Sequence, residues 1–283
     1  MNRKITPLYT LALILALGPL DTGCDSSDKV VSPPEQWVLT MADEFDSGAS
    51  PSAELWTIET GYGDPDAGWG NDEWQLYTNS PENVRVEDGN LVITAQCPVK
   101  PCGKRDGSIT SARIQTKNLF EQERGRFEAR IKLPTGQGLW PAFWMLGANI
   151  DEVPWPGCGE IDVMEYVGQT PERVFGTLHG PGYSGGASIG ADFDLSGGET
   201  FADDFHVFAV EWDPGRITWL VDEEVYNIIR SAEVVARGDW VFNNEFFMLL
   251  NLAVGGTVGG QVDDTVFPAV MLVDYVRVFE RAQ

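Results

Sequence analysis

Three carboxylates fall within six residues in Gly159-Glu160-Ile161-Asp162-Val163-Met164-Glu165, and every residue between them is apolar. Alternation of this kind belongs to a β-strand, in which residues two apart share a face. Glu160 and Asp162 then point together, and Glu165, five positions after Glu160, points away. One extra residue in the strand, a β-bulge at Val163 or Met164, returns Glu165 to the face of the other two, and bulges favour positions beside active sites. The two glutamates then behave as residues four apart, with Cα atoms about 13 Å from each other at about 3.3 Å per residue. Side chains leaning inward close much of that gap, toward the carboxyl separation of about 5–5.5 Å found in retaining glycosidases. Crowded like charges raise the pKa of one member, so one acid stays protonated while another is ionised. A nucleophile and a proton donor in one cleft is the chemistry this stretch offers. An acidic, solvated edge strand is the other reading of the same pattern, and the flanking sequence has to decide between them.

The elements around it read as strands. Asn90-Leu91-Val92-Ile93-Thr94-Ala95 alternates after the turn Asp88-Gly89, and Arg126 to Leu133 places Phe127, Ala129, Ile131 and Leu133 on one face. Phe205 to Trp212, Ile217 to Val221, Phe246 to Val254 and Val273 to Phe279 continue the series, with turns such as Asp213-Pro214-Gly215 between them. Helical periodicity is scarce; Ser231 to Arg237 allows one short helix. Many strands with turn punctuation and no internal repeat predict an all-β sandwich or jelly roll in one large domain. The pair Trp140 and Trp144, four apart, shares a face of a strand. Pro141 between them suits an edge or a cleft better than a central ladder.

The chain has 283 residues, 43% of them hydrophobic, and a formal charge of −24. That charge argues against nucleic acid, whose binding relies on Lys and Arg neutralising phosphates, and more weakly against polyanionic substrates; a neutral ligand is the simplest expectation. Residues 1–23 read as a secretory signal, with Arg3 and Lys4 ahead of the apolar run Leu8 to Leu17. Thr22-Gly23-Cys24 resembles the end of a bacterial lipoprotein signal, although Asp21 stands where an aliphatic residue is usual; a lipid anchor on Cys24 and plain secretion both stay open. Residues 24–36, with Pro33-Pro34, form a linker, and 37–283 the domain. Export permits disulfides: Cys97 and Cys102 bracket a turn that a bridge can staple, which leaves Cys158 unpaired. With two His and no C-x-x-C, zinc is a poor reading.

Aromatic and hydrogen-bonding residues gather in Gly68 to Gln75, in Gly138 to Met145 and in Thr177 to Gly186. Indole faces stack on the apolar faces of sugar rings, and Asn, Gln and Arg bond hydroxyls. A lone Trp is more often core, and a lone His structural. His179, in a Gly-rich segment soon after the acids, becomes a candidate proton relay or substrate contact. Together these segments, with Asp43-Glu44-Phe45, Thr110 to Ile114, Gly125 to Leu133, Leu250 to Gly256 and Val273 to Val278, resemble glycoside hydrolase family 16 in its laminarinase (endo-1,3-β-glucanase) branch over nearly all of residues 37–280. The inserted Met of the acid-bearing strand matches the bulged form of laminarinases; lichenases of the family lack it.

The resemblance implies a β-jelly-roll sandwich of two curved antiparallel sheets with a concave substrate cleft. It implies hydrolysis of β-1,3-glucan by double displacement with retention, Glu160 as nucleophile, Glu165 as acid and then base, and Asp162 between them. Carried over by position, Trp140, Trp144 and His179 line subsites near the cleaved bond, and Asn71 and Arg113 bind glycone sugars. A structural Ca²⁺ with Glu44, Gly89 and Asp274 is implied on the far side, with no cofactor for the chemistry; a monomer is expected. One departure is Gly255-Gly256-Thr257-Val258-Gly259-Gly260, where relatives often carry a Trp-Pro pair. Mixed-linkage β-1,3-1,4-glucanase activity on the same fold is the alternative. A non-catalytic glucan-binding protein is the reading from another class, and the intact acids argue against it.

Overall fold

The structure is a computed structural model, and it describes residues 37–63 and 67–282. The expected signal, Cys24 and the linker lie outside the described residues. Two large antiparallel sheets make up the domain. The first runs, in order of pairing, Glu224–Arg230, Arg216–Val221, His206–Asp213, Gly125–Lys132, Ala269–Arg281, Asn90–Ala95 and Val84–Glu87, with Trp37–Asp43 also paired to Ala269–Arg281. The second runs Ile189–Asp194, Arg173–His179, Glu160–Tyr166, Leu139–Gly147, Phe246–Val254, Arg113–Gln115 and Thr57–Glu59. A short parallel pair, Leu76–Tyr77 with Thr110–Ser111, stands apart from both. Among the described residues, helix is confined to single turns, Ser231–Val234 and Gly256–Gly259, and to short 3₁₀ segments. The one helical turn expected after Ser231 is present, and the turn at Gly256 is an addition.

Alternation explains why the sheets pack. Phe127, Ala129 and Ile131 of the first sheet share one buried cluster with Phe143, Met145 and Ile161 of the second. Burying each large aliphatic or aromatic side chain stabilises the sandwich by about 1.5–3 kcal/mol. The opposite face of Gly125–Lys132 carries Arg126, fully buried, with Nε 2.6 Å from Glu128 Oε2 and Nη1 3.2 Å from Glu211 Oε1. A buried guanidinium is tolerable only when paired in this way. Cys97 and Cys102 are joined by a disulfide, and Cys158 is a free, buried thiol. Pro141 departs from expectation. It lies in the central strand Leu139–Gly147 opposite Leu252. The ladder to the acid-bearing strand ends at Glu165 opposite Ala142, one residue short of it, so the missing N–H interrupts no pairing on that side.

Candidate active site

The acid-bearing strand is bulged where its sequence requires. Toward Leu139–Gly147, Asp162 pairs with Trp144 and Met164 with Phe143, so Val163 is the extra residue. Toward Arg173–His179, Asp162 pairs with Thr177 and Glu165 with Phe175, so two residues oppose Gly176 alone. Ile161, Val163, Met164 and Tyr166 all enter the core, and Glu160, Asp162 and Glu165 line one cleft on the outward face of the second sheet. The strand opens at Gly159, whose φ is +85° and where a Cβ would stand 2.9 Å from the Phe246 ring; both facts call for glycine immediately before Glu160.

Trp140, Trp144, Asn71 and Arg113 line the same cleft, so these four expected binding residues are brought together with the acids. The Trp140 indole N–H donates to Glu165 Oε1 at 3.0 Å, and that of Trp144 to Asn251 Oδ1 at 2.7 Å. Arg113 stacks between Trp69 and Trp144, its guanidinium carbon 4.4 and 4.9 Å from the two ring centroids, and it pairs with Glu59. Such a sandwich fixes the planar guanidinium with its remaining donors free for hydroxyls. His179 sits directly across the ladder from Glu160. Its Nε2 stands 3.1 Å from Asp162 Oδ2 and 3.8 Å from Glu160 Oε1. The shorter contact is not aligned as a hydrogen bond, so Asp162 Oδ2 is buried without a donor.

The electrostatics follow from this crowding. Burial pushes all three carboxyls above their ordinary range; the Asp162 charge adds to the effect on Glu160, and the Asp162 and Glu160 charges to that on Glu165. Each glutamate has groups that favour its charge: His179 acts on both, the Trp155 indole N–H donates to Glu160 Oε2 at 2.7 Å, and the Trp140 indole N–H donates to Glu165. Glu165 faces both other acids, and burial with their charges pushes its carboxyl far above the ordinary value. The proton held in the cleft therefore belongs on Glu165 before Glu160.

Glu160, Asp162 and His179 also have the composition of a divalent-metal site, their donor atoms lying within 4.8 Å of one another. The histidine is set against that role. The Gly185 N–H donates to Nδ1 at 3.0 Å, which puts the ring proton on Nε2. A metal-ligating His does the reverse, donating through one nitrogen while the other binds.

Of the expected calcium set, Glu44 does not fit as a carboxylate donor, and Asp274 has one carboxylate oxygen left. Both Glu44 oxygens are held by Arg277 at 2.8 Å, and Asp274 Oδ2 is held by Arg130 at 2.8 Å. Glu44 has only its main-chain carbonyl to offer, like Gly89.

Some residues of the cleft were not singled out by their sequence. Glu73 is buried at its wall, accepting from Gln75 Nε2 at 2.6 Å, from the Tyr77 hydroxyl at 3.2 Å and from Asn71 Nδ2 at 3.3 Å. It thereby orients Asn71, and its position in the Gly68 to Gln75 segment was the available signal. Asn251 arrives from a distant strand, and Trp155 from a loop, with no periodic signal for either.

Residues 71–265 match the family model for glycosyl hydrolases family 16. A protein named β-glucanase from Rhodothermus marinus is 40% identical over 98% of this chain and 96% of its own length. The laminarinase catalytic domain from Thermotoga maritima is similar in structure, with a TM-score of 0.82 and 45% identity over 88% of this chain and 100% of that one. The endo-β-1,3-glucanase from Pyrococcus furiosus also has a TM-score of 0.82, with 45% identity over 87% of this chain and 95% of that one.

Proposed function

The chain belongs to glycosyl hydrolase family 16 and is a glycoside hydrolase of its β-glucanase and laminarinase branch, and on that footing we propose an exported, endo-acting β-1,3-glucanase that cleaves laminarin-type β-glucan with retention. The observation that carries the proposal is the bulge at Val163-Met164, which gathers Glu160, Asp162 and Glu165 beneath a wall of tryptophan, arginine and asparagine. Retention needs a carboxylate and a carboxylic acid within reach of one glycosidic bond.

In the proposed reaction, Glu165 gives its proton to the glycosidic oxygen as the bond to the anomeric carbon breaks. A Glu160 oxygen attacks that carbon and forms a glycosyl ester, and the shortened aglycone chain leaves. Glu165, now ionised, takes a proton from water; the hydroxide oxygen displaces Glu160 and regenerates both groups. Losing the Glu165 proton while Glu160 gives up its charge to the ester keeps the cleft near one net charge throughout, and Asp162 stands between them to share the proton. Trp140 orients Glu165, Trp155 and His179 face Glu160, and Trp144, Arg113 and Asn71 hold the glycone sugars. Calcium has no step in this scheme. We include it only as a structural ion on main-chain oxygens, Gly89 among them, with the free oxygen of Asp274. Export, with or without a lipid on Cys24, rests on the N-terminal sequence.

The test is product analysis on laminarin, mixed-linkage barley glucan and agarose side by side. Short 1,3-linked oligosaccharides from laminarin, released first as the β-anomer, are expected. Cleavage confined to barley glucan would assign the chain to mixed-linkage substrates. Binding of laminarin without cleavage of any polymer would favour a glucan-binding protein.

A further inference from the structure

A second groove, of about 330 Å³, lies away from the acids between the 78–83 turn and the loop closed by the Cys97–Cys102 disulfide. Its walls carry hydroxyl and amide side chains, Thr78, Asn79, Gln96 and Thr110 among them. Among the described residues no Lys or Arg lines it to pair with an anion, and Glu82 is its one carboxylate.

The groove is rigid. Buried Asn83 donates to the Thr94 carbonyl at 2.9 Å and to Thr110 Oγ1 at 3.0 Å, and accepts from the Thr78 hydroxyl at 2.6 Å. Gln96 is fixed by a 2.6 Å bond to the Glu82 carbonyl. The loop is tied down twice, by its disulfide and by the Cys102 N–H donating to Asp264 Oδ2 at 3.1 Å. Yet this anchored loop presents Val99 at the groove edge, 72% exposed, next to Pro98. Among the described residues no side-chain bond engages Asn79, nor the Oε1 of Gln96. Fixed neutral donors and acceptors beside a held apolar edge suit a ligand with hydroxyl groups on its rim and C–H groups on its faces. The groove is also joined to the cleft wall: Glu73 is bonded to Tyr77, and Thr78, the next residue, lines the groove.

We propose that this groove is a second contact site for the neutral glucan chain whose other segment occupies the cleft. The inference rests on the β-glucan reading above. A second contact on the same polymer acts at a high effective concentration, so even a weak site strengthens retention of long chains, while a chain too short to reach it gains nothing.

The experiment compares laminarin with laminaritetraose by calorimetry, using the full chain carrying Glu160→Gln so that ligands are not consumed. Asn79→Ala with Val99→Asp alters two exposed side chains, and an unchanged thermal midpoint verifies the fold. The expected result is a Kd for laminarin weakened about tenfold, with that for the tetraose unchanged. Equal affinity of parent and variant for laminarin overturns the proposal. So does parallel weakening of the tetraose, which would make the groove part of the cleft itself. If the parent binds neither glucan, the β-glucan reading falls and this inference falls with it.

Discussion

Replacing Trp155 by Phe removes one hydrogen bond to Glu160, the proposed nucleophile, and keeps an aromatic ring in its place. The indole N–H stands 2.7 Å from Glu160 Oε2 and favours the ionised carboxyl. A hydrogen bond to a charged group contributes about 1.5–3 kcal/mol. Trp155 is 45% exposed, so water takes over part of that role in the variant, and we expect about 1–1.5 kcal/mol. One pKa unit corresponds to about 1.4 kcal/mol, so the Glu160 pKa rises by about one unit. The sign follows from the mechanism, since Glu160 works ionised: raising its pKa moves the acid limb of the kcat/KM profile to higher pH. On that limb kcat/KM falls about tenfold, with a smaller loss at the optimum. The assay is kcat/KM on soluble laminarin across the acid limb for both proteins. Superimposable acid limbs, with only KM raised, would refute the argument and leave Trp155 as a sugar platform alone.

Other expectations follow from the bulge, the buried acids and the ion. Deleting Met164 restores strict alternation, so the glutamates stay on the cleft face and reduced hydrolysis survives; deleting Val163 with Met164 turns Glu165 toward the core and abolishes it. Inactivity of both, with native unfolding midpoints, would count against the geometric role of the bulge. A raised folded-state pKa on Glu165 means that wild-type stability is lost as pH rises through that pKa. Glu165→Gln is therefore expected to match wild type in the ordinary carboxyl range and to gain on it toward alkaline pH, read by denaturant unfolding; a pH-independent difference would contradict the shift. Chelation is expected to lower the thermal midpoint without changing rate constants at assay temperature, and an unmoved midpoint removes calcium from the account.

Much of this site is legible from the chain because its information is local. Glu160, Asp162 and Glu165 declare a strand by their apolar spacers, and their odd spacing declares the bulge. Trp140 and Trp144 share a face by the same period-two rule, and both line the cleft. His179 pairs across the ladder from Glu160, a relation set by the return of the next strand. What was not legible depends on chain reversal. Trp155 reaches Glu160 through a loop whose five-residue spacing has no facial meaning, and Asn251 meets Trp144 from a strand more than a hundred residues away. Pro141 reads as a residue of an edge or a cleft; its strand does line the cleft, and its place in a central strand is hidden because the end of a ladder leaves no mark in the sequence. Glu44 reads as a carboxylate donor to calcium because nothing local shows that Arg277 will hold both its oxygens.

The central claim is that Glu160 becomes covalently bound to sugar. Incubating the full chain with a laminaribiosyl fluoride bearing fluorine at C2 slows release of the ester, and peptide mass spectrometry then locates it. One glycosyl adduct is expected on the peptide containing Gly159 to Tyr166, placed on Glu160 and absent in Glu160→Gln. An adduct on Glu165 would reverse the two roles, and hydrolysis of laminarin with release of the α-anomer first would contradict the double displacement altogether.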